Sequence, residues 1–94
     1  MYLEKHLSSN FDARTRELGS LIYELGQVKL SSGNQWEVSA EIQDGHPSHV
    51  DIIREDDKVR AYCECSYWEA KGICKHIWAV ILAADRKSYL LGAV

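Results

Sequence analysis

Cys63-Glu64-Cys65-Ser66-Tyr67-Trp68-Glu69-Ala70-Lys71-Gly72-Ile73-Cys74-Lys75-His76 holds all three cysteines of the chain and one of its four histidines, in two close pairs. On its N-terminal side the pattern has period two. Val59, Ala61, Cys63 and Cys65 alternate with Arg60, Tyr62 and Glu64, so a strand sends both thiols out on one side. From Gly72 onward the period is helical, with Ile73, Ile77, Val80, Ile81 and Ala84 on one stripe. The two pairs therefore stand at the end of a strand and at the start of a helix.

A tetrahedral zinc site needs four thiolate or imidazole donors at about 2.0 to 2.3 Å from the ion, and three cysteines with one histidine is a recognised structural set. Cys63, Cys65, Cys74 and His76 supply that set with no cysteine left over. Cys74 falls at the predicted helix N-terminus, where free N–H groups and the positive dipole end favour a thiolate. The expected cofactor is one structural Zn2+. The same residues also admit two other readings: small buried hydrophobes beside a hydrogen-bonded histidine, or a thiol enzyme or redox sensor using Cys63 and Cys65. The coincidence of four donors weighs for the metal. Four protein donors close the coordination sphere, Glu69 is not placed as a general base beside an open position, and no GxxxxGK[ST] phosphate loop is present, so catalysis is not expected.

Working upstream, Trp36, Val38, Ala40 and Ile42 alternate with Glu37, Ser39, Glu41 and Gln43, the clearest half-buried strand of the chain. Asp44 to Pro47 break it, and His49–Glu55 forms the next strand, reversing at Asp56 and Asp57. Before these, Val28 and Leu30 open a short strand that ends in the turn residues Ser31 to Asn34. A helix is predicted over Phe11 to Leu25, with Phe11, Thr15, Leu18, Leu21, Ile22 and Leu25 on its apolar stripe, Ser9 or Asn10 as N-cap and Gly26 beyond its end. The expected architecture is α+β: an N-terminal helix, a small antiparallel sheet of three to four strands, and a C-terminal helix. Zinc would lie between the last strand and that helix.

The chain has 94 residues, 46% of them hydrophobic, with a net charge of -3, which suits one domain over residues 1–94 and excludes a Rossmann enzyme or a two-domain protein. The odd cysteine count, the lack of a secretory h-region and an apolar run no longer than Ile77 to Ala84 point to a soluble, intracellular protein of the cytoplasm, nucleoid or nucleus, with no membrane partner. Charge is divided unevenly. Up to Asp57 there are five Lys or Arg against eleven Asp or Glu; from Lys58 there are six against three. The cysteine-bearing part is thus the basic part. Three thiolates and one Zn2+ would move the net charge to -4, so DNA binding by this chain alone should be weak.

With these residues in view, the sequence resembles the SWIM zinc finger, whose signature is CxC, a variable spacer and CxH, here Cys63, Cys65, Cys74 and His76. The likeness takes in Trp68 of the spacer, Gly72 and Ile73 before the second pair, and the apolar run Ile77 to Leu82, so the finger proper covers about residues 58–84. SWIM modules occur in Swi/Snf-type ATPases, Mutator-type transposases, a signalling kinase and recombination-associated proteins. The resemblance implies a non-enzymatic module for protein and DNA contacts in a nucleic-acid-processing complex, with a protein partner favoured and no small-molecule substrate. Lys71, Lys75, Arg86 and Lys87 flank the finger helix as candidate phosphate or partner contacts, and Trp78, off the apolar stripe, is the candidate surface aromatic. Trp36 and Trp68 are expected in the core, and His6, His46 and His49 on the surface.

Overall fold

The computed structural model describes residues 11–44, 46–55, 58–64, 74–87 and Tyr89. Helix α1 (Ala13–Glu24) is followed by four strands, β1 (Val28–Gly33), β2 (Glu37–Asp44), β3 (His46–Glu55) and β4 (Lys58–Cys63), and by helix α2 (Lys75–Arg86). The strands form an antiparallel meander in the order β1-β2-β3-β4. The α+β architecture read from the sequence holds, with four strands.

Alternation sorts the two faces of the sheet. Val38, Ala40 and Ile42 of β2, Val50 and Ile52 of β3, and Cys63 of β4 are buried on one side. The register aligns Leu30, Ala40, Val50 and Cys63 in a single cross-strand row. The other face is polar: Ser39 Oγ donates to Asp51 Oδ1 at 2.6 Å, and His49 Nε2 lies 3.0 Å from the same oxygen.

Helix α2 lies on the apolar face, touching every strand, and its opposite side packs along α1. Covered on both sides, it is buried from His76 to Asp85 without a break. A helix apolar around most of its circumference needs such a sandwiched place. The approach of the helices is set by Gly19, where a Cβ would lie 2.6 Å from the Lys75 carbonyl oxygen and 2.8 Å from Trp78 Cδ1. Gly19→Ala gains about 1 kcal/mol of helix propensity but forces two helices apart at a cost of roughly 1–3 kcal/mol. We expect a net loss of stability, read as a lower urea midpoint with unchanged zinc content.

Several boundaries differ from the sequence reading. Helix α1 starts at Ala13, capped by Asp12, whose Oδ1 accepts from the Thr15 N–H at 2.7 Å, rather than by Ser9 or Asn10. This leaves Phe11 outside the helix, free to turn its ring onto Trp78, with centroids 5.2 Å apart. The hydrogen bonds from Thr15, backbone first, hold the Asp12 carboxyl below its ordinary pKa. A depressed carboxyl stabilises the fold above the ordinary range and loses that contribution as pH falls through its folded value. Asp12→Ala should therefore lower the melting temperature at neutral pH, and Asp12→Asn, which keeps the acceptor, should largely retain it.

At the other end of α1, Gly26 adopts φ 72° while its N–H donates to the Tyr23 oxygen and the Gln27 N–H to the Ile22 oxygen. That closure, which needs a left-handed residue, is the glycine cap the sequence predicts. The buried stripe of α1 is Thr15, Gly19 and Ile22; Leu21 and Leu25, predicted as core, are 50% and 63% exposed. Trp36, predicted on the core face of β2, is 41% exposed. Asn34 Oδ1 accepts from both the Trp36 and Glu37 N–H groups, which bends the chain and holds Trp36 in the turn, outside the strand. Strands β1 and β3 outrun their apolar alternation, taking in Ser31 to Gly33 and His46 to Ser48, because backbone pairing asks nothing of the side chains.

Candidate metal centre

The row Leu30-Ala40-Val50-Cys63 ends at the last residue of β4, so Cys63 Sγ leaves the sheet on the side that α2 covers. Cys74 is the N-cap of α2, extended at φ -157° and ψ 163°, and its carbonyl accepts from the Trp78 N–H to open the helix. His76 follows in the first turn. One strand end and one helix start thus aim three donors at a common point.

The ligand atoms of Cys63, Cys74 and His76 all lie within 4.8 Å of one another, and all three residues are buried. Cys63 Sγ is 3.6 Å from His76 Nδ1. With Zn–S near 2.3 Å and Zn–N near 2.05 Å at the tetrahedral angle, a sulfur and a nitrogen ligand stand about 3.5 Å apart. The pair therefore already spans one edge of a zinc tetrahedron. An S–H···N hydrogen bond would explain those two groups alone; the second thiol beside them is what a metal adds. The Cys/Cys/His group fits one structural zinc. The positive end of the α2 dipole lies beside it, where the negative charge of thiolate ligands is favoured.

Residues 42–85 match the family model of the SWIM zinc finger. The match begins in β2, takes in β3, β4 and the metal centre, and ends in α2, leaving α1 and β1 outside it. It is wider than the 58–84 finger legible from the motif, because the SWIM segment also includes the end of β2 and the whole of β3, the strand that pairs with β4. No curated protein and no solved structure matches the chain.

Among the sequence-predicted residues of the SWIM segment, Cys65, Trp68, Lys71, Gly72 and Ile73 lie outside the described residues. Trp78 is not a surface aromatic: it is 2% exposed, packed between Phe11 and Gly19. The apolar stripe alone left it free because the second helix layer was not visible from spacing. Lys75 and Arg86 occupy opposite ends of α2, about 17 Å apart at 1.5 Å per residue. The basic flank is thus two separate places.

One residue of the site was missed. Glu64, the middle residue of CxC, donates its N–H to the His49 oxygen at 3.2 Å and accepts the His49 N–H on Oε1 at 2.8 Å. Its carboxylate thereby takes the place its own carbonyl would hold in a continuing ladder, so the β3–β4 ladder ends at Cys63. An acid between two cysteines was the available signal.

Proposed function

We propose that this chain is a non-enzymatic interaction module in which Cys63, Cys65, Cys74 and His76 hold one zinc ion, and that it serves a nucleic-acid-processing complex chiefly through a protein partner, with DNA as a weak contact. The observation that carries the reading is the 3.6 Å approach of Cys63 Sγ to His76 Nδ1 with Cys74 beside them, all buried, inside the SWIM match. Cys65 follows Cys63 by two residues, the spacing that lets one chain end chelate twice. A set of four protein donors leaves zinc no open position for water or substrate, so its contribution is to fold the finger.

Burial weighs against the thiol-enzyme reading. Reactive cysteines sit in partly exposed, electropositive surroundings, whereas Cys63 and Cys74 are both 0% exposed. No helix among the described residues is long and apolar enough to cross a membrane. Elemental analysis of the purified chain tests the reading. About one zinc per chain, thiols protected from alkylation until a chelator is added, and loss of zinc in Cys65→Ser are expected. Metal-free protein with freely alkylated thiols would refute it. A DNA titration of parent and Lys75→Glu, with little affinity and little salt dependence in either, supports the protein-partner form.

A further inference from the structure

A groove of about 460 Å³ opens where the C-terminal ends of α1 and α2 meet β1. Its walls are apolar, from Tyr23, Val28, Leu30 and Ala83. Its rim carries Lys29, Arg86 and Lys87, all exposed, and no carboxylate among the described lining residues. Val28, Lys29 and Leu30 are consecutive, and successive side chains of a strand point to opposite faces, so a single hollow lined by all three runs along the strand edge. That edge belongs to β1, the outermost strand of the sheet, with β2 paired on its other side.

The charged residues that line the groove are all cationic, on a chain of net charge -3. Two helix C-termini contribute about -0.5 each, which the three lining cations exceed; Glu24, the last residue of α1, and Glu41, paired across from Lys29, are acids on the neighbouring elements that do not line the groove. The cations do more than compensate the helix ends.

We propose that this groove docks an acidic, extended segment of a partner protein, with aliphatic side chains in the hollow, carboxylates on Arg86, Lys87 and Lys29, and its backbone along the edge of β1 that no described strand pairs with. Alternating aliphatic and acidic residues match both wall and rim, whereas a nucleic-acid backbone would engage the cationic rim and leave the aliphatic wall of Val28, Leu30 and Ala83 unused. The inference rests on the interaction-module reading and names the partner's chemistry.

The test uses the zinc-loaded full chain and a short labelled peptide alternating Asp or Glu with Val and Leu, a Lys-for-acid version of it, and a labelled DNA duplex. The acidic peptide should bind with salt-sensitive affinity, shifting amide resonances of Gly26 to Leu30 and Ala83 to Lys87. Arg86→Glu/Lys87→Glu, and separately Lys29→Glu away from the helix end, should each weaken it about tenfold or more. Equal binding of the basic peptide, shifts centred elsewhere, or stronger groove shifts with DNA would overturn the proposal. Zinc measured on the same samples separates the two claims: one zinc per chain without peptide binding sinks the groove alone, and absence of zinc sinks the finger.

Discussion

Chelation of the purified chain is expected to unfold the finger, with loss of the cooperative thermal transition and collapse of the β3–β4–α2 packing. The apparent binding energy of structural zinc, roughly 10–16 kcal/mol in finger peptides, is as large as the whole stability of a small domain, about 5–15 kcal/mol. Its removal leaves two thiols and an imidazole packed together in a site built for an ion. Cys63→Ser should reproduce the effect from within the sheet, and Cys74→Ser from the helix start. Circular dichroism melts before and after chelation, with readdition of zinc, give the measurement. A transition that survives chelation unchanged would show that the hydrophobic core suffices without metal. Because the ligands bind deprotonated, the metal-dependent stability should also fall as the solution is acidified.

Trp78→Ala should be the most damaging substitution outside the metal ligands. Its side chain is 2% exposed and bridges the helices, ring against Phe11 and Cβ against Gly19. Truncating a buried tryptophan costs roughly 3–5 kcal/mol. For a domain of this size each kcal/mol moves the melting temperature by about 4–8 °C, so a drop of at least about 12 °C is expected. Trp78→Phe should cost clearly less, because the indole N–H is buried with no partner among the described residues and phenylalanine removes that orphaned donor. If instead Trp78→Ala melts like the parent, the tryptophan is no part of the contact between the helices. Zinc content of the variant distinguishes loosening of α1 from loss of the finger.

These two experiments address the two halves of the architecture, and the halves were not equally legible. The metal centre was readable because its information is local: Cys63 at the end of a period-two run, and Cys74 and His76 at the start of a period-3.6 run. The helix-capping glycine at Gly26 was readable for the same reason, since a left-handed residue after an apolar stripe has few alternatives. Leu21, Leu25 and Trp36 were misplaced because hydrophobicity says that a side chain prefers burial, not that a neighbour is there to bury it.

The sequence by itself determined the strand and helix elements of the described residues, the sidedness of the sheet and three donor residues that the fold brings together, Cys63, Cys74 and His76, all of which follow from periodicity and from the few side chains able to hold zinc. Only the tertiary structure decided that α2 is covered on both sides, which takes Trp78 from the surface into the core through the close approach at Gly19. It also decided that Arg86 and Lys87 join Lys29 across a groove while Lys75 stands apart. The physical reason is range: backbone periodicity acts over a turn or a pleat, whereas burial and the sharing of a surface depend on residues distant in the chain.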